Sequence, residues 1–267
     1  MNFVVALKAE ASPIIECFKL ARENANPFPL YTNGHHRLVL SGLGKELAAK
    51  ATRYLGNQFP LPNHPWLNLG IAGHGCLEPG TIFVANRILD EEGERPFYPT
   101  PSIRHDLEST TLKTTCSPVS RYPEPIGYDM EASAFCSVAS SFSVRELIQV
   151  IKVVSDNPDH PIDSFDRSSV HTLIENAIPA IIPLLDKMEE HARKITPSLE
   201  LTARIEACLS THPFSETQSH QVRKLVTHAQ ALGLPEKGVL NTLTGAESAK
   251  QAIIRLGESL AKHRKLS

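Results

Sequence analysis

Runs of apolar residues alternate with stretches of helical spacing through the first two thirds of the chain. "FVVAL" (3–7) reads as a buried strand, continuous in Val and Leu rather than alternating. A helix is expected over Ser12 to Asn24, with Ser12 as its N-cap and Pro13 at its first position. "HRLVLSG" reads as a second strand with "KELAAKATRYLGNQ" as the helix behind it. "PWLNLGIAG" and "GTIFVANRIL" follow as strands joined by a Gly-rich turn. Between Asp90 and Pro125 the pattern weakens into Pro, Thr and charge, and "TTLKTTCSPV" is the best strand there. "MEASAFCSVASSF" then takes helical spacing, "ELIQVIKVVSD" reads as a buried strand, and a long helix is expected from about Ser168 to Ile195. Continuous apolar strands need cover on both faces, so the pattern predicts an α/β domain with a largely covered sheet.

After "KITPSLE" the strand signal disappears. From Leu199 to Leu266 the segments "LELTARIEACLSTH", "SETQSHQVRKLVTHAQALG" and "GAESAKQAIIRLGESLAKHRK" carry helical spacing, with Gly233 and Gly245 as stops. The expected division is an α/β domain over residues 1–195 and an all-helical C-terminal appendage of two to three helices over 196–267. No internal repeat at solenoid period stands out.

Composition narrows the classes of function. A chain of 267 residues can bury an enzyme-sized core. Lys and Arg total 27 against 29 Asp and Glu, a formal charge of -2, so neither nucleic acid nor an anionic membrane is expected as a partner. The five cysteines are widely spaced with no C-x-x-C pair, which fits reduced cytoplasmic thiols better than disulfides or a zinc site. Lys8 and Glu10 interrupt the apolar start too early for a signal-peptide core. "AIPAIIPLLDKM" is far shorter than the roughly 20 residues of a membrane span. A cytoplasmic location is the expectation.

Four segments end predicted strands, where α/β proteins place their sites. Glu10 in "ALKAEA" follows the first strand; a Glu at a helix start is ordinarily a surface acid favoured by the dipole. In "SGLGKELAA" Gly42 and Gly44 feed a helix N-terminus, whose free N–H groups can bind an anion or sugar hydroxyl. The spacing matches neither a P-loop nor a dinucleotide fingerprint. In "NLGIAGHG" Gly70, Gly73 and Gly75 permit close backbone approach, while His74 lacks a second ligand at metal spacing and reads as an exposed turn residue. "DMEA" and "VVSD" set Glu131 and Asp156 a helix and a strand apart. Either they share one rim and divide acid and charge-stabilising work, or they cap local turns.

In this order "VVALKAEA", "SGLGK", "NLGIAG", "EPGTIFVANRILD", "DMEASAF" and "VVSD" resemble the nucleoside phosphorylase and nucleosidase superfamily, over about residues 3 to 190. The resemblance is strongest to its methylthioadenosine/S-adenosylhomocysteine nucleosidase branch. It implies a three-layer α/β/α fold around a mixed, partly barrel-like sheet. The implied activity is cleavage of the N-glycosidic bond of a purine nucleoside or a 5'-modified derivative. Carried over by motif, Asp156 is the acid that helps protonate the purine, and Glu10 positions the attacking water. Glu131 holds ribose hydroxyls and Met130 packs on the sugar; Ser155, Gly44, Ala72 and Gly73 complete the substrate-binding set. Asp129 receives no role. No metal or cofactor is implied, and the partners are a small nucleoside with water or phosphate. Family members are commonly oligomers, which implies a homo-oligomer.

The family's phosphorylases carry phosphate-binding arginines in segments that here read "ALKAEA" and "NLGIAG", so water is the expected nucleophile. Phosphorolysis through Lys8 or main-chain donors is the alternative. A non-catalytic nucleoside-binding or regulatory protein is the further alternative. The chain departs from the family at Ile71, where the nucleosidases have a small hydroxyl residue, and in the short segment before Gly127.

Overall fold

The computed structural model describes residues 1–59, 63–93, 95–100, 103–119, 121–161, 167–196, 199–211 and 214–264. The chain forms two compact units, Met1–Glu189 and Glu190–Ser267.

In the first unit nine strands are described: β1 (Asn2–Val5), β2 (Ala21–Glu23), β3 (Leu30–Thr32), β4 (Arg37–Leu40), β5 (Trp66–His74), β6 (Ile82–Asp90), β7 (Glu108–Thr114), β8 (Gly127–Asp129) and β9 (Ile148–Asp156). They form one mixed sheet in the order β2-β3-β4-β1-β5-β8-β7-β6-β9. Because β9 pairs with β6 antiparallel and with β5 parallel, strands β5, β8, β7, β6 and β9 close into a barrel. Strands β4 and β1 extend it from β5 in parallel register, and β3 and β2 continue antiparallel.

Successive side chains of β1 enter opposite cores. Phe3 and Val5 pack with Ile14 of α1 (Lys8–Cys17) and with Ile174 and Ile181 of α4 (Arg167–Ile195). Val4 packs instead with Leu55 of α2 (Lys45–Gln58) and Phe135 of α3 (Ala132–Ala139). Two-sided burial explains why these strands read as unbroken apolar runs, and it produces the α/β/α layering. Each fully buried Ile, Leu or Phe contributes about 1.5–3 kcal/mol.

The first helix begins five residues earlier than its sequence suggests, with Leu7 rather than Ser12 at the N-cap, and ends at Cys17. Glu10, not Ser12, supplies the start signal: its Oε2 accepts the Leu7 N–H at 2.8 Å. The Ser12 hydroxyl lies inside the helix and donates to the Lys8 carbonyl at 2.9 Å. Lys19 adopts a left-handed conformation (φ 51°), after which the chain enters β2 instead of continuing helically to Asn24. Strands β2, β3 and β8 span three residues each, too short for a period to register.

The second unit contains α5 (Leu199–Thr211), α6 (Glu216–Ala231), α7 (Glu236–Thr244) and α8 (Ala249–Arg264), one helix more than the spacing suggests. Expected helix beyond Arg264 lies outside the described residues. Ile205, Val222, Val226, Leu240, Leu243 and Leu256 form its core. Ser215 and Gln218 cap α6 reciprocally, and Gly233 stops it at φ +72°. Gly245 caps α7, the helix missed because its nine residues carry little more than two turns. Among the described residues no helix is long and apolar enough to cross a membrane.

Candidate active site

A cavity of about 1240 Å³ opens at the C-terminal ends of β1, β5, β8 and β9. Glu10, Glu131 and Asp156 all line it. So do Ala72, Gly73, Met130 and Ser155. Gly44 contributes through its backbone, donating its N–H to Glu131 Oε1 at 2.7 Å. The Gly44 φ of +96° is what turns that N–H inward at the start of α2. Lys45 anchors the same turn, its ammonium 3.0 Å from Asp90 at the end of β6. The residues singled out in sequence therefore converge on one space.

Beneath the cavity floor Lys152 is fully buried in β9, and three carboxylates surround it. Its ammonium lies 2.8 Å from Asp129 Oδ2. Asp129 also accepts from the Thr114 hydroxyl at 2.7 Å and from the Ala132 N–H at 2.9 Å, at the start of α3. Glu10 is buried rather than a surface acid, 3% exposed. Its two oxygens accept the N–H groups of Leu7 at 2.8 Å and Ile71 at 2.9 Å. A Cβ on Gly70 would stand 2.7 Å from Glu10 Oε1, so the glycine is required for the carboxylate to reach the sheet.

One ammonium cannot neutralise three buried acids. Burial pushes the Glu131 carboxyl up to about 7, opposed by the Lys152 charge and assisted by Asp129. Burial likewise raises Glu10, again opposed by Lys152. Lys152 itself is held above its ordinary range, because Asp129, Glu131 and Glu10 together outweigh its own burial. Such a group of carboxylates can hold a water molecule, receive a proton and stabilise a cation that forms above them.

Asp156 ends β9 beside a bulge. Val154 pairs with Ala72 and Asp156 with Gly73, so Ser155 is the extra residue on that strand. The Ser155 hydroxyl donates to Asp156 Oδ1 at 2.5 Å. The Tyr122 hydroxyl donates to Asp156 Oδ2. The Tyr122 ring lies directly over Gly73, where any Cβ would collide with it. Burial, then the bond to Asp156, raises the Tyr122 phenol well above its ordinary value. Lys8, Arg167 and His171 also line the cavity.

Sequence reasoning passed over Lys152, Asp129 and Tyr122. A single lysine inside the apolar run "IQVIKVVSD" was a legible signal, since an unpaired ammonium is not tolerated in a buried strand. Asp129 is the partner it needs. Tyr122 carried no signal, because only the tertiary path of the short segment before Gly127 brings it to Asp156. His74 is corrected: it is buried at the end of β5, and its Nδ1 accepts the N–H groups of Cys76 at 3.1 Å and Leu77 at 3.0 Å. At the family's hydroxyl position Ile71 serves the site through its backbone N–H.

The fold is similar to that of nucleosidases of known structure. A methylthioadenosine/S-adenosylhomocysteine nucleosidase from S. pneumoniae, solved with a transition-state inhibitor, superposes with TM-score 0.57 at 16% identity, over 69% of this chain and 97% of that one. The corresponding enzyme of Colwellia psychrerythraea, in complex with adenine, gives 0.54 at 17% identity over 70% and 93%. Futalosine hydrolase of Helicobacter pylori gives 0.56 at 15% identity over 70% and 97%. At such identities the likeness is one of fold. No protein-family model and no curated protein sequence matches the chain.

Proposed function

We propose that the first unit hydrolyses the N-glycosidic bond of a purine nucleoside or 5'-modified nucleoside. The observation that carries this reading is the convergence of Glu10, Glu131 and Asp156 on one cavity, with Glu10 and Glu131 also interacting with buried Lys152. In the proposed reaction Asp156, oriented by Ser155, supplies a proton to the departing purine. Glu10 holds the attacking water and takes up its proton as the C–O bond forms and the C–N bond breaks. Glu131 accepts hydrogen bonds from ribose hydroxyls, and Met130 packs on the sugar. The sugar passes through a cation-like state, and carboxylates favour that state over the neutral substrate. The cavity exceeds the ~300–1,000 Å³ of common small-ligand sites, which leaves room for a 5' substituent.

Phosphorolysis is the second reading, favoured by Lys8 and Arg167 on the cavity wall. Incubating the protein with purine and 5'-substituted nucleosides, with and without phosphate, and separating free base from sugar products decides between them. Free base and free sugar at equal rates in both buffers support hydrolysis. Sugar 1-phosphate formed only with phosphate would replace it with phosphorolysis. Ligand-induced stabilisation without base release would leave a binding protein on this fold.

A further inference from the structure

At the opposite end of the sheet, where β1 and β4 begin, a second group of titratable side chains gathers. His35 and His36 lie in the turn between β3 and β4, and Glu189 lies near the end of α4. Consecutive residues of a regular strand point to opposite faces. Here Asn33 Oδ1 accepts both the His35 and His36 N–H groups, at 3.0 and 2.7 Å, and the turn brings the two rings within 4.6 Å of each other. Both rings face the same carboxylate. His36 Nδ1 is 3.3 Å from Glu189 Oε1, and His35 Nε2 is 3.3 Å from Oε2.

We propose that His35 Nε2, His36 Nδ1 and a Glu189 carboxylate oxygen form a binding site for one divalent d-block cation of the Zn²⁺ type, with water in its fourth position. The three donor atoms already lie within 4.8 Å of one another. Zinc bonds of ~2.0–2.2 Å place tetrahedral ligands roughly 3.3–3.5 Å apart; His36 Nδ1 stands at that distance from Oε1 and His35 Nε2 from Oε2, and a turn of the carboxylate brings one oxygen to both. A rotation of the exposed His35 ring closes the third. Imidazole and carboxylate donors suit Zn²⁺ and its neighbours rather than Mg²⁺ or Ca²⁺.

The Met1 amine and the Arg37 guanidinium border this group, and a bound cation would displace the amine from Glu189. His64 Nε2 contacts the Met1 amine at 2.9 Å and Arg37 at 3.3 Å, which places it beside the donor set as its wall. The Met1 amine also approaches His36 Nδ1 and Glu189 Oε1, each at 3.4 Å. Glu189, the carboxylate in this group, holds a negative charge beside several nitrogens. A bound cation would join the β3–β4 turn to α4.

The test uses tag-free full-length protein, stripped with chelator, dialysed and titrated with Zn²⁺ against a chromophoric competitor. One equivalent is expected, with Kd at or below about 1 µM and a Tm rise of roughly 5 °C or more at a hundredfold excess over Kd. Glu189→Gln and His35→Ala should each weaken binding by at least tenfold, consistent with the typical loss of a ligand contact. Both should melt like the metal-free wild type. His220→Ala, on exposed α6, should bind as wild type. Weak uptake of several equivalents, or affinity unchanged in Glu189→Gln and His35→Ala, would overturn the site.

Discussion

Asp156 has both oxygens engaged before any substrate arrives, one by Ser155 and one by Tyr122. A base seeking that carboxyl must displace the Tyr122 phenol, whose hydrogen bond is worth about 0.5–1.5 kcal/mol net. Tyr122→Phe should therefore raise kcat/KM by about 3- to 10-fold; a tenfold fall would mean that the hydroxyl contacts the substrate instead. Asp156→Asn should lower kcat by roughly a hundred- to ten-thousand-fold, the usual contribution of a positioned general acid, with KM little changed. Glu131 adds a pH dependence. Its folded value near 7 lies above the 4.5 of an unperturbed carboxyl, so between these values the folded chain keeps a proton that the unfolded chain has released. Stability falls as pH rises through that window, by an amount of the order of 3 kcal/mol, and is fully present below it. Denaturant titrations at intervals from pH 4.5 to 7.5 should show this slope in the wild type and a flatter one in Glu131→Gln.

The same site depends on how strands and helices meet. The Glu10 carboxylate crosses over Gly70 of β5 to reach the Ile71 N–H, and a Cβ at position 70 would stand 2.7 Å from Glu10 Oε1. Gly70→Ala should push Glu10 from its two N–H donors. The expected outcome is a loss of about 1–3 kcal/mol in stability, the range for overpacking, together with at least a tenfold fall in kcat. A variant that keeps wild-type kcat would detach Glu10 from the reaction. At this scale the motif strings were legible because strand ends recur as Gly-rich or acidic turns. The short strands were not, since β2, β3 and β8 owe their state to partners distant in sequence. The first helix shows the same contest: Ser12 and Pro13 fit a start by local preference, yet Glu10 and the burial of Ile14 set the helix earlier.

For the whole molecule, each unit has its own apolar core: two clusters flank the sheet of Met1–Glu189, and one lies among the helices of Glu190–Ser267. A domain with its own core can fold alone. A chain ended after Ile195, which keeps α4 whole, is expected to retain the melting transition of the first unit and the proposed nucleoside cleavage. Calorimetry of the full chain should then show that transition plus a second, smaller one. Loss of folding in the shortened chain would mean that the helices are part of the enzyme body.

The sequence by itself determined the α/β order and the helices that follow Leu199, and it marked Glu10, Glu131 and Asp156 as candidates, because burial period and turn chemistry are local properties of the chain. Closure of the barrel required β9 to find both β5 and β6, and pairing between distant segments leaves no local period. Lys152 was visible as an anomaly, but its meaning waited for the three carboxylates gathered around it from other elements. Tyr122 on Asp156, and two neighbouring histidines turned toward Glu189, were decided only by the tertiary structure, which alone sets distances between residues far apart in the chain.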